Sequence, residues 1–70
     1  MIMVRVESSN IHSIGYDPET KKLAIKFKSG GGRVYSGVTD AQHTKLMAAK
    51  SHGKHYHQHI KGKFDAEDLE

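Results

Sequence analysis

The stretch NIHSIGYDPETKKLAIKF, residues 10–27, decides the fold, because it holds two apolar runs separated by a turn whose chemistry is legible. Leu23, Ile25 and Phe27 alternate with Ala24, Lys26 and Lys28, the period-two pattern of a strand with one buried face. Ile11 to Tyr16 supplies a second strand. Between them, DPETKK is a turn: Pro18 presets its own φ, and the Asp17 carboxylate is placed to accept from the turn's amides. A hairpin of residues 11–16 and 23–28 is therefore predicted.

Upstream, Ile2, Val4 and Val6 alternate with Met3 and Arg5 and read as a further strand with one buried face. Downstream, SGGGR (29–33) is a break, since three glycines allow positive φ without steric cost, and RVYSGV (33–38) is the strand that returns. After Val38 the period changes. Thr39 with Gln42 three residues on is a capping pair, and it predicts a helix from about Asp40 to Ser51. Gly53 is expected to end that helix in a left-handed conformation. A second short helix then carries Tyr56, Ile60 and Phe64 within an arc of about 80°, an apolar stripe for the sheet. The fold class is α+β: a small antiparallel meander of about four strands, followed by one or two short C-terminal helices packed on it. Residues 1–64 form one domain. Residues 65–70, DAEDLE, are expected to be an unstructured acidic tail, and Leu69-Glu70 is assigned no function.

A chain of 70 residues has room for a single core, with little left to wall an active-site cleft. Its hydrophobic content of 36% includes no run near the ~18 to 20 apolar residues a membrane span needs. The N-terminus lacks the layout of a secretory signal, and cysteine is absent, so neither disulfides nor thiolate zinc ligands are available. A cytoplasmic protein with no membrane partner is expected. The net charge is +3, but four of the eight acids lie in the last six residues. Residues 1–64 carry 11 bases against 4 acids, or +7, which attracts polyanions. The same imbalance also serves simply to keep a small protein soluble.

Four of the six histidines fall at 52, 55, 57 and 59. On a helix His55 and His59 are neighbours on the flank of the apolar stripe, whereas His57 points away and Gly53 separates His52 from the pair. Two imidazoles at i and i+4 are able to share a zinc or nickel ion, but a structural zinc site takes four ligands and a catalytic one usually three. No carboxylate sits at a completing spacing, and Tyr56, His57 and Gln58 stand where a metallopeptidase helix has its glutamate. His55 and His59 are thus the candidate metal ligands, with a solvated flank that charges in mild acid as the other reading. No cofactor is implied. No Gly-x-Ser-x-Gly elbow, phosphate loop or paired-carboxylate spacing is present, and SGGGR reads as a hairpin turn. Asp17 and Glu19 read as turn residues.

If Leu23, Ile25 and Phe27 face inward, Lys26 and Lys28 face outward, and the next strand places Arg33 and Tyr35 together with Val34 opposite. A tyrosine among bases on an open sheet suits single-stranded nucleic acid, the ring stacking a base and the cations holding phosphates. The competing reading makes Tyr35 a half-buried core residue.

These residues resemble a known small family, the KTSC domain, named for its occurrence at the C-terminus of some lysyl-tRNA synthetases and also found as a stand-alone bacterial or phage protein. The resemblance covers roughly residues 4–64 and rests on SSNIHSIGYDPETKKLAIKF, then GGGRVYSGV, then Ala49-x-Ser51-x-Gly53 followed by an aromatic, Ile60 and Phe64. The family's central Tyr-x-Tyr reads Arg33-Val34-Tyr35 here, and its Val-Pro before the helix reads Val38-Thr39. The four clustered histidines are not part of that pattern. From its synthetase context the resemblance implies RNA binding.

The expectation is a monomeric, non-enzymatic nucleic-acid-binding module favouring RNA. Lys26, Lys28, Arg33, Lys54, Lys61 and Lys63 would contact phosphates and Tyr35 would stack on a base. The alternative is an adaptor, such as a phage accessory, that docks a host protein through an edge strand or a helix.

Overall fold

A computed structural model describes residues 1–69. The chain forms β1 (Met3–Arg5), β2 (Ile11–Asp17), β3 (Lys22–Phe27), β4 (Gly32–Ser36), α1 (Asp40–Ala48), α2 (His52–His59) and β5 (Asp65–Asp68). The five strands make one antiparallel sheet in the order β1-β2-β3-β4-β5. The meander and the two helices are those the sequence predicts, within an α+β architecture.

The register between β2 and β3 explains a spacing that simple alternation does not. Ile11 and Ile14 lie three residues apart, so a regular strand would send them to opposite faces. Ile11 pairs with Phe27, Ser13 with Lys26 and Ile14 with Ile25, and the extra residue between Ile11 and Ser13 forms a bulge. Both isoleucines thereby reach the face that carries Leu23 and Ile25, and both are buried. The helices close that face: Val38, Leu46, Tyr56 and Ile60 complete a core with Ile11, Ile14, Leu23, Ile25 and Tyr35. Asp17 Oδ1 accepts from the Glu19 amide in the turn (3.0 Å), as its position implies.

Capping sets the helix boundaries. Thr39 Oγ1 accepts from the Gln42 amide (3.2 Å), and Gln42 Oε1 accepts from the Thr39 amide (2.8 Å), the predicted reciprocal box. The first helix ends at Ala48, short of the expected Ser51, because Ala49 turns to extended backbone. Ser51 instead caps α2, accepting from the Lys54 amide at 3.2 Å. Gly53 corrects the sequence reading. It lies in the first turn of α2, not at the end of α1, and it is buried with no positive φ. A Cβ there would collide with Asn10 Oδ1 and stand 3.4 Å from Ser8 Oγ. Gly53 is needed for the close approach of α2 to the loop before β2. That loop is fixed in turn by Ser8 Oγ, which accepts from the Ile11 amide at 3.2 Å and donates to Asn10 Oδ1 at 3.1 Å.

Two other expectations change. Residues 65–68 are not an unstructured tail but the fifth strand, pairing Ser36 with Asp65, Tyr35 with Ala66 and Arg33 with Asp68. Its paired row satisfies amides and carbonyls of β4, and its acidic side chains make the new edge a poor template for further strands. The Leu69 amide donates to Gly32 O (3.0 Å); Glu70 lies outside the described residues. The N-terminal strand does not bury a face either, since Ile2 is 83% and Val4 48% exposed, and Val6 alone of that series packs on the core. Met1 and Met3 lie over Gly15 on the face of the sheet opposite the helices.

Introducing a methyl group at Gly53 forces α2 away from Asn10. Gly53→Ala is expected to cost about 1–3 kcal/mol in urea denaturation; unchanged stability would show that this approach is not tight.

Candidate functional site

The strand register distributes the predicted site residues over two faces. Lys26 pairs with Ser13 and Gly32, and Ser13 pairs with Arg5, so Lys26 and Arg5 share a row on the face away from the helices. Arg33 pairs with Ile25, and Tyr35 with Leu23, which puts both on the helix side. Lys28 falls in the turn after β3, where its amide donates to Asn10 O at 2.9 Å. Lys54 is exposed on α2, and Lys61 and Lys63 are exposed in the turn that follows it. The expected single surface of Lys26, Lys28, Arg33 and Tyr35 therefore does not exist. Nor does Tyr35 present its ring for stacking: it is 3% exposed, held between the sheet and α2.

What Tyr35 does form is the floor of a cleft. Its hydroxyl bonds the hydroxyl of Tyr56, also 3% exposed, and the two rings meet edge to face at 5.8 Å. Phe27 packs on Tyr56 at 5.6 Å and 63°. Above this pair opens a cleft of about 710 Å³. Arg33 enters it from β4, His57 from α2, and Lys61 from the turn that Gly62 makes at φ 76°. Asn10, Ser29 and Phe64 add to its walls. Two carboxylates limit the positive charge: Asp65 lines the cleft, and Asp68 approaches Arg33 at 3.7 Å, a solvent-exposed contact of the kind that contributes little.

Burial raises the pKa of the Tyr56 hydroxyl, and its bond to Tyr35 raises it further, while the nearby Arg33 charge acts in the opposite sense. Tyr56 therefore remains a neutral hydroxyl through the physiological range. The cleft combines a buried hydroxyl pair with exposed cations, the Asp65 carboxylate and aromatic walls. It is suited to an anionic group attached to a planar or apolar body. Sequence reasoning placed Tyr56 on the apolar stripe without its polar partner and turned His57 away from any site. A tyrosine rather than phenylalanine at a core-facing helical position was the signal, because a buried hydroxyl needs a partner.

The histidines do not converge as a group. The His55 and His59 rings lie with centroids 4.5 Å apart, tilted by 40°, beside Gln42 and Lys45. His52 belongs to the same helix, but its Nδ1 lies 3.3 Å from Glu7 O and its Nε2 3.2 Å from Met47 O. Among the described residues no three of His, Cys, Asp or Glu are placed to hold a metal ion. Burial lowers the His55 pKa, and the charges of His59, Lys45 and His52 lower it further. His55 therefore takes up a proton less readily than a free imidazole.

The comparisons with known proteins agree with this architecture. The KTSC domain model matches residues 7–64. An uncharacterized protein of Stutzerimonas stutzeri is 38% identical over 61 residues, covering 87% of this chain and 86% of that protein. A lysine–tRNA ligase of Nostoc punctiforme is 36% identical over 67 residues, or 96% of this chain but 12% of the ligase. The crystal structure of a KTSC domain protein from Yersinia pestis superposes with a TM-score of 0.96 at 39% identity, covering 99% of this chain and 97% of that one. The chain belongs to the KTSC domain family. It spans about one eighth of the length of the ligase it matches.

The lowered His55 pKa sets a direction for stability. The folded state takes up this proton less readily than the unfolded chain, whose histidines titrate near 6.5. The contribution is complete above that value and is lost as pH falls through it toward the lower folded pKa. His43, also lowered chiefly by burial, acts in the same direction. The melting temperature is expected to fall between pH 7 and pH 5, and less steeply in His55→Gln; an equal slope in both proteins would contradict the assignment.

Proposed function

We propose that the domain is a binding module for RNA and that the cleft above Tyr35 and Tyr56 is where it engages the strand. The carrying observation is the convergence of Arg33, His57 and Lys61 on a concave, aromatic-walled site in a body whose residues 1–64 carry +7. The β3–β4 turn is tied to Asn10 at the cleft wall through the Lys28 amide, while Lys28 itself lines a separate depression with Arg5 and Glu7. Lys54 and Lys63 add charge in the segment that carries His57 and Lys61, while Lys26 with Arg5 forms a separate patch on the far face. Lysine–tRNA ligases of Nostoc contain a region similar to this chain, which supports an RNA role. The working form is a cytoplasmic monomer, acting by binding and not by catalysis. Among the described residues no helix is long and apolar enough to cross a membrane.

Fluorescence anisotropy with a labelled single-stranded RNA tests the reading. Neutralising about three phosphates gives a log–log salt slope of about −2, or roughly a twentyfold loss of affinity from 50 to 200 mM salt. Arg33→Ala and Lys61→Ala should each weaken binding and flatten the slope, whereas Lys26→Ala should do neither. No binding at low salt, or indifference to Arg33 and Lys61, would overturn it.

A second reading has its own observation: β1 is an edge strand of the sheet, and Val4 within it and Ile2 just before it are exposed, an arrangement open to strand addition by a partner protein. A host protein retained from nuclease-treated lysate and released by Val4→Lys would favour it. Retention unaffected by Val4→Lys would remove this edge from consideration.

A further inference from the structure

The hydroxyl pair on the cleft floor has a proton to spare. Two tyrosine hydroxyls carry two hydrogens, and a single contact between their oxygens uses one of them. Among the described residues neither hydroxyl has another hydrogen-bond partner. Both side chains line the cleft, and both are almost wholly buried, so the remaining hydrogen is available to whatever fills the space above them. The charged groups around it are the Arg33 guanidinium and the Lys61 ammonium, with the Asp65 carboxylate on the wall as the one acidic group among the described lining residues; the His57 ring lines the same space. Two cations and a spare hydroxyl hydrogen against one carboxylate favour a ligand that is chiefly an acceptor.

We propose that the floor of the cleft is a seat for a phosphate monoester, the terminal phosphate of an RNA strand, held by the Tyr35–Tyr56 pair, Arg33 and Lys61. An internal phosphodiester offers two free oxygens and one negative charge, with chain leaving from both sides. A terminal monoester offers three free oxygens, carries nearly two charges at neutral pH, and enters a concave site with chain leaving from one side only. It also outbids Asp68, whose contact with Arg33 is long and exposed. The neutral hydroxyl donates without adding negative charge, and Phe27 and Phe64 at the walls suit the sugar and base of the terminal nucleotide. The RNA source of the phosphate rests on the proposed RNA-binding role; the seat itself rests on the donors.

The test uses the intact chain and one oligoribonucleotide in three forms: hydroxyls at both ends, a 5′-phosphate, or a 3′-phosphate. One phosphorylated form should bind about five- to tenfold tighter than the unphosphorylated strand, the gain of one charge-assisted contact. Tyr35→Phe/Tyr56→Phe, which keeps both rings, should erase that preference while retaining salt-dependent binding of all three. Equal affinity of the wild-type protein for the three forms would overturn the seat and leave the RNA reading standing. If no form binds, the RNA reading falls, and uridine 5′-monophosphate decides the seat by NMR. Amide shifts at Arg33, Tyr56 and Lys61 would support it, and their absence would overturn it.

Discussion

The bond between the Tyr35 and Tyr56 hydroxyls is the contact on which the rest of this structure turns. It joins β4 to α2 through two side chains that are otherwise apolar, so one contact serves packing and polar satisfaction together. A helix of eight residues with few buried side chains is not stable by itself. Docking over Tyr35 holds it in place, and the same docking leaves the cleft open toward the turn that follows the helix. The floor of the cleft is thus a piece of the core, and its donors are held by the packing that stabilises the domain.

The supports of that contact come from short elements of the sequence that meet in space. Ser51 begins α2, Gly53 lets it approach Asn10, and Asn10 receives the amide of Lys28 from the β3–β4 turn. The bulge in β2 brings Ile11 onto the helix face beneath this junction. β5 then covers the edge of β4, placing Ala66 beside Tyr35 and Asp68 beside Arg33. The Ala-x-Ser-x-Gly element and the Ser-Ser-Asn loop thereby acquire a physical meaning: they are the two sides of one helix–loop contact.

The central hairpin, the return strand and the capping box of α1 were legible because each is written in local chemistry: alternation, a proline turn, or a Thr and Gln three residues apart. What was not legible depends on distant partners. Whether Gly53 ends one helix or packs within the next is decided by Asn10, 43 residues earlier in the numbering. The acidic residues 65–68 show no apolar alternation, and they form a strand because β4 offers an unpaired edge. Tyr35 was assigned to an open face because the period of two says which residues share a side but not which side the helices cover. The cations were counted correctly, and only the register could show that Lys26 and Arg33 lie on opposite faces.

A double-mutant cycle on the two tyrosines measures the central contact most directly. Urea denaturation of Tyr35→Phe, Tyr56→Phe and the combined protein removes one hydroxyl, the other, or both, while keeping the rings in place. A coupling energy of about 0.5–1.5 kcal/mol is expected for a hydrogen bond of this kind, with the combined change costing less than the sum of the single ones. Strictly additive changes would mean that the hydroxyls do not bind each other, and that neither the docking of α2 nor the donor on the cleft floor depends on their pairing.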